Sequence, residues 1–179
     1  MTEQEILQAF KTGTNKEKAL SALMDTYQQK LYWHIRRLVV HHEDANDVLQ
    51  HVFIKVWKNL EKFRGESGLY TWLYRIASNE SFTFLRKEKK RRSLSIDDEE
   101  SDLSNHLKAD KHFSANEIEW KLQVAMQKLP EKQKAVFSLR YYDEMPYSQI
   151  SEVLETSEGA LKASYHHAVK KIQKMLTED

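Results

Sequence analysis

From Leu20 to Val39, apolar side chains recur at Leu20, Leu23, Met24, Tyr27, Leu31, Ile35, Leu38 and Val39, a three- and four-residue spacing that puts them on one face of an α-helix. The rhythm returns in Val48, Leu49, Val52, Phe53, Val56, Trp57 and Leu60, and again in Ile118, Leu122, Ala125, Met126 and Leu129. Only four Gly and two Pro occur in the chain, too few for the tight turns that a sheet of hairpins requires. An all-α fold is expected.

The periodicity lapses between Ser93 and Ala115, in SLSIDDEESDLSNHLKADKHFSA. Such a polar, acidic stretch reads as a flexible linker, so the chain divides into two small helical domains, 1–92 and 116–179, joined by 93–115. Domains of this size lie near the lower limit for burying an adequate core, and each is expected to lean on the other or on a partner. The first contains short and long helices over 3–11, 16–40 and 43–60, then helical segments over 69–77 and 80–89 with a break near Ser78 and Asn79. The second opens with a helix over 116–128 and restarts with Pro130 as the first residue of the next. Its remainder, Tyr147–Leu154, a turn at Glu155 and Thr156, then a helix to Leu176 with Ser157 as N-cap, has the pattern of a helix-turn-helix.

Net charge is +1, but the sign is segregated along the chain. Residues 1–92 carry 17 basic and 11 acidic side chains, residues 93–119 carry 2 and 8, and residues 120–179 carry 9 and 8. A basic first part attracts polyanions and an acidic middle repels or imitates them. The absence of Cys excludes a disulfide framework and thiolate metal sites. The N-terminal MTEQEILQAF has neither a basic start nor an apolar core, and no apolar run approaches membrane-spanning length, so no membrane insertion and a cytoplasmic location are expected. No phosphate-binding glycine loop, nucleophile elbow or HExxH occurs, and the pairs His41–His42 and His166–His167 are sequence neighbours that point about 100° apart on a helix. No enzymatic activity, cofactor or metal is expected.

Two stretches point to nucleic acid. Between Phe63 and Arg92 lie six of the chain's nineteen aromatic side chains and eight of its 28 Lys and Arg residues. Planar rings beside cations are what unstacked bases and their phosphates require, although Tyr70, Leu73 and Ile76 at helical spacing also suit a core and Lys87–Arg92 a solvated helix end. In the helix after Ser157, Leu161, Tyr165, Ala168 and Ile172 share a buried side. Lys162, Ala163, His166, His167 and Lys170 then face outward, as residues entering a major groove do. A third surface is offered by Asp44, Asp47, Gln50 and His51, which lie off the apolar stripe of their helix and suit either solvent or a docked partner helix. At this level a helix-turn-helix regulator acting as a dimer, or a helical adaptor that touches no nucleic acid, remains open.

Three segments in this order, HEDANDVLQHVFIKVWKNLEKF, FRGESGLYTWLYRIASNESFTFLRKEKKRR and LPEKQKAVFSLRYYDEMPYSQISEVLETSEGALKASYHHAVKKI, resemble the extracytoplasmic-function subfamily of the sigma-70 family, the small two-domain sigma factors of bacterial RNA polymerase. The resemblance covers about residues 20–92 and 118–176. It implies that Asp44, Asp47 and Gln50 dock on the clamp helices of the polymerase's largest subunit, with His51 standing where relatives usually carry an acid. It implies a minus-10 element that captures a melted promoter strand through Trp72, Tyr74, Arg75, Asn79 and Arg86, with Lys87, Lys89, Lys90, Arg91 and Arg92 on phosphates. The minus-35 reader would comprise Ser157, Lys162, Ala163, His166, His167 and Lys170, with Arg140 from the preceding helix. Ser164 and His167 stand where relatives often place Arg, so weak duplex binding by the second domain alone is expected. Promoter DNA, core polymerase including its flap region, and an anti-sigma protein are the partners the resemblance implies, and the acidic linker is similar to the segment that threads the RNA exit path.

Overall fold

The computed structural model describes residues 1–92 and 116–178; the acidic segment 93–115 lies outside the described residues. Among those described, all regular structure is helical. Helix α1 (Glu3–Thr12) starts in a capping box, Thr2 Oγ1 accepting from Glu5 N–H and the Glu5 carboxylate from Thr2 N–H, and stops at Gly13 with φ +75°, a left-handed conformation that glycine adopts without penalty. Helices α2 (Lys16–Val39), α3 (His42–Asn59) and α4 (Leu69–Arg92) pack mutually, with a 3₁₀ turn at Leu60–Lys62 closing α3. The predicted stripes supply the core: Leu23, Leu31, Ile35 and Leu38 from α2, Val48, Val52 and Val56 from α3, and Leu69, Leu73 and Ala77 from α4.

The predicted break in α4 is absent; the helix runs unbroken from Leu69 to Arg92. Of the two residues that signalled a break, Asn79 is exposed and Ser78 is buried, and Ser78, like Ser81 one turn on, turns its hydroxyl inward. Ser78 Oγ and His34 Nε2 are hydrogen-bonded at 2.8 Å, and Ser81 Oγ donates to the Ala77 carbonyl at 2.8 Å, so neither competes for a backbone amide in the way that favours a cap.

The second lobe comprises α5 (Glu117–Gln127), α6 (Glu131–Phe137), α7 (Tyr147–Leu154) and α8 (Glu158–Thr177). Pro130 is the N-cap of α6, one position before the expected first turn. Past Phe137 the backbone widens into a π-helical turn over Ser138–Tyr142, an irregularity that apolar spacing does not announce. Ser157 caps α8 as expected, its Oγ accepting from Ala160 N–H at 3.3 Å. Leu161, Ala168 and Ile172 are buried and Tyr165 half-buried, the predicted inner side of α8.

The lobes are not independent cores. Val136, Leu139, Met145, Ile150, Val153 and Leu161 from the second lobe belong to the same buried cluster as the first-lobe stripes, while Ala125, Met126, Leu129, Phe137, Ala168 and Ile172 form a cluster of their own. This shared burial meets the need that small lobes have for additional apolar area. The C-terminus of α2 is finished by the other lobe: Gln127 Nε2 donates to the Arg37 carbonyl at 2.7 Å and Lys134 Nζ to the Leu38 carbonyl at 3.0 Å. These are two of the four carbonyls that a helix end leaves without an intrahelical donor. Burial pushes the Lys134 amine down to about 8. The chain then reverses at Val40, φ +77° and ψ −50°, where His41 N–H donates to the Val39 carbonyl at 3.0 Å and the side chain packs on Trp120 and Val124 of α5. A β-branched residue in that region is strained, and its packing holds it there.

His34 gives this core a pH dependence. Wholly buried between α2 and α4, it is pushed down to about 3, first by burial and then by the Arg37 guanidinium. The Asp143 carboxylate 3.8 Å from Nδ1 does not offset this, because Arg37 already engages it at 2.7 Å. The unfolded chain takes up this proton near 6.5 and the folded chain does not, so the contribution is constant above that pH and is lost progressively below it, by about 1.4 kcal/mol per pH unit. Between about pH 7 and pH 5 the native chain should lose roughly 2 kcal/mol more than the His34→Gln variant, read from urea unfolding curves; parallel pH profiles would contradict this.

Candidate functional site

Continuity of α4 decides where its candidate residues lie. At 100° per residue, Trp72, Arg75, Asn79 and Arg86 fall within about 60° of one another, while Tyr74 lies on nearly the opposite side. The surroundings agree. Trp72 is half-buried with its ring 5.4 Å from Phe63, Arg75 is half-buried, and Asn79 and Arg86 are exposed. Tyr74 is fully enclosed between His34 and Tyr70, at ring distances of 5.1 and 4.7 Å, and its hydroxyl donates to Asp143 Oδ1 at 3.1 Å. Burial, followed by the Asp143 charge, raises its phenol far above the ordinary tyrosine range. In this arrangement Tyr74 faces protein on all sides.

Beyond the stripe the helix becomes a cationic rod. Lys87, Lys89, Lys90 and Arg91 are exposed and Arg92 half-exposed, with Arg91 3.0 Å from Glu88. Arg86 Nη2 pairs with Glu131 at 2.7 Å, and Arg75 donates through Nε and Nη2 to the Glu152 carbonyl at 2.9 and 2.7 Å. Both acceptors belong to the second lobe.

On α8, Lys162, Ala163, His166, His167 and Lys170 are all exposed, as is the capping Ser157. The helix thus presents one continuous face with two lysines, two imidazoles and a small residue. Arg140 approaches from the π-helical turn, donating to the Met145 carbonyl at 3.2 Å and stacking 4.9 Å over Tyr147. Lys162 lies 5.7 Å from the same ring.

On α3, Asp47, Gln50 and His51 are exposed. Asp44 is half-buried in the helix's first turn, and burial raises its carboxyl. Gln50 also lines an open groove of about 650 Å³ between α2 and α3, together with residues that include Leu20, Met24, Leu49, Phe53, Ile54 and Trp57. The predicted apolar stripe of α3 is buried except at Trp57, which is half-exposed and forms the end of this groove. The groove was not anticipated, although one signal existed: Ile54 stands four residues after Gln50 and four before Lys58 on an otherwise polar face, and is 51 % exposed. Among the described residues, no group of three or more His, Asp or Glu is placed to hold a metal ion, and no helix is long and apolar enough to cross a membrane.

Comparison with known proteins assigns the chain to a family. The model of Sigma-70 region 2 matches residues 23–91 and that of Sigma-70 region 4 matches residues 119–172. The ECF RNA polymerase sigma-E factor of Haemophilus influenzae is 30% identical over 97% of this chain and 94% of its own length. The ECF RNA polymerase sigma factor SigW of Bacillus subtilis is 28% identical over 90% and 91%. Two solved structures share the fold: CnrH in complex with the cytosolic domain of CnrY (TM-score 0.72, 19% identity, 99% of this chain and 98% of that one), and the sigma factor RpoE in complex with the anti-sigma factor NepR from Bartonella quintana (TM-score 0.70, 18%, 90% and 99%). With two regional matches in the right order and a curated relative aligned from end to end, the chain belongs to the extracytoplasmic-function group of sigma-70 factors, the initiation subunits of bacterial RNA polymerase.

Proposed function

We propose that this sigma factor divides initiation among three faces. The observation that carries the reading is the unbroken α4, which gathers Trp72, Arg75, Asn79 and Arg86 into a single stripe leading into Lys87, Lys89, Lys90, Arg91 and Arg92. A melted minus-10 strand lies along this stripe, a base stacking on Trp72 with Asn79 at its edge and the phosphates following the cationic rod. Unstacking costs a few kcal/mol per step and stacking on protein rings returns roughly 1 to 3 per base, so a few such contacts suffice to tip the balance. Tyr74 supports the stripe from behind.

The exposed face of α8 reads the minus-35 duplex through Lys162, Ala163, His166 and His167, with Ser157 and Lys170 at its ends and Arg140 from the π-helical turn. Two lysines and no arginine on that face leave its own affinity low, since phosphate neutralisation supplies most non-specific binding. The third face is α3 with its groove. Gln50 lines this apolar channel, which suits an amphipathic helix of core polymerase, and Asp44, Asp47 and His51 continue the docking face around the helix. The protein acts in the cytoplasm with core enzyme and promoter DNA, and an anti-sigma protein is a regulator of the kind the neighbouring structures contain. Adding purified protein to core polymerase should produce transcripts from discrete start sites on genomic templates. Core enzyme that gains no promoter specificity would overturn this reading.

A further inference from the structure

The geometry points to a small-molecule site: a cleft between the C-terminal end of α2, the distal half of α4 and the start of α6 is built to hold a small organic phosphate.

The cleft has a volume of about 420 Å³, within the range of sites that enclose small molecules and far more than a phosphate ion needs. Val39, Val40, Phe84, Leu85, Leu129 and Pro130 give it apolar walls against which a carbon ring can lie. Its charges do not cancel. Arg86 is paired with Glu131 at 2.7 Å, and Glu88 with Arg91 at 3.0 Å, Arg91 standing outside the lining. Among the described residues this leaves Lys89, Arg92 and Lys134 against the carboxylate of Asp44, with the imidazole of His41 also in the lining. Three cations and one carboxylate call for about two negative charges, and a phosphate monoester carries about −1.5 to −2 at pH 7. Lys89 and Arg92 also lie on the proposed strand path, but the site does not depend on that reading.

Lys134 carries the inference. It is 7 % exposed, yet its two partners, the Leu38 carbonyl at 3.0 Å and Gln127 Oε1 at 2.9 Å, are both neutral. They leave one of the ammonium's three donors and most of its charge unanswered. The α2 terminus that it caps offers about half an elementary negative charge. Glu131, the carboxylate whose charge reaches it, is already held by Arg86. A buried charge is costly unless it is paired, and burial accordingly pushes this amine down to about 8. A phosphate in the cleft supplies both the countercharge and an acceptor for the remaining donor.

The test is calorimetric titration of the full chain with adenosine diphosphate, inorganic pyrophosphate and adenosine. The diphosphate should bind at a single site, and adenosine, which lacks the phosphates, should not bind. Lys134→Gln keeps a donor for the Leu38 carbonyl and removes the charge, while Lys89→Gln alters an exposed residue on which folding does not depend. Each should weaken the diphosphate about tenfold or more, the worth of a hydrogen bond to a charged group. Lys87→Gln, exposed on α4 but outside the cleft, should leave the affinity unchanged. Near pH 8 binding should take up protons, because an anion beside Lys134 favours its charged form; the dependence of the heat on the buffer's ionisation enthalpy reads this uptake, and Lys134→Gln should abolish it. Should Lys134→Gln lose helicity by circular dichroism, Lys89→Gln and the native proton uptake decide. Absence of binding at millimolar diphosphate, binding that neither cleft variant weakens, or an equal loss in Lys87→Gln overturns the site. Pyrophosphate binding as tightly as the nucleotide overturns the organic part of the assignment and leaves the cleft to an inorganic anion.

Discussion

Replacing Trp72 with Ala should lower the rate of promoter opening by about one to two orders of magnitude while leaving affinity for core polymerase within about twofold. Stacking of a base on an aromatic ring contributes roughly 1 to 3 kcal/mol by alanine substitution, and each 1.4 kcal/mol is a factor of ten. The ring is half-buried against Phe63, which presents one face without absorbing the residue into the core. Permanganate reactivity of unpaired thymines measures the opening, and a fluorescence titration with core enzyme measures the docking. A parallel loss of both would show that the ring acts as core. Tyr74→Ala is the contrasting case: its enclosure predicts loss of packing and of the hydrogen bond to Asp143 rather than a selective opening defect.

Leu73→Ala, at the adjacent residue, should have a different phenotype of comparable size. Leu73 is fully buried within the α2, α3 and α4 cluster, and removing a leucine side chain from such a site costs about 2 to 5 kcal/mol. Domains are stable by only about 5 to 15 kcal/mol, so the variant should melt roughly 5 to 20 °C lower and lose core binding and opening together as it unfolds. A thermal melt by circular dichroism decides it; a native melting temperature would place Leu73 outside the core. Neighbours 100° apart on one helix would then report separately on function and folding.

The helices were legible because their apolar residues repeat with the period of the helix, and the inner sides of α2, α3 and α8 are those the spacing indicates. The exposed set on α8 was legible for the same reason, as the complement of a buried stripe. What escaped was governed by contacts across the chain. Ser78 and Asn79 look like a break until His34, 44 residues earlier, is known to bond Ser78. Tyr74 stands among aromatic and basic residues in sequence, yet the phase of an unbroken helix turns it toward Asp143, which follows it by 69 residues. The groove on α3 was hidden because a half-exposed Trp57 and a buried Val56 look alike in a pattern of apolar letters.

The end of α2 has one more consequence. The carbonyls of Arg37 and Leu38 receive their donors from Gln127 and Lys134, and the turn at Val40 rests on Trp120 and Val124. Were the lobes to part, these supports would go to water and the last turn of the helix would lose them. The amide of Val40, hydrogen-bonded to the Arg36 carbonyl at 2.9 Å, would then exchange its hydrogen with solvent. Because fraying of the helix end alone also exposes that amide, its exchange rate, divided by that of an unprotected amide, sets an upper limit on the fraction of time the lobes are apart.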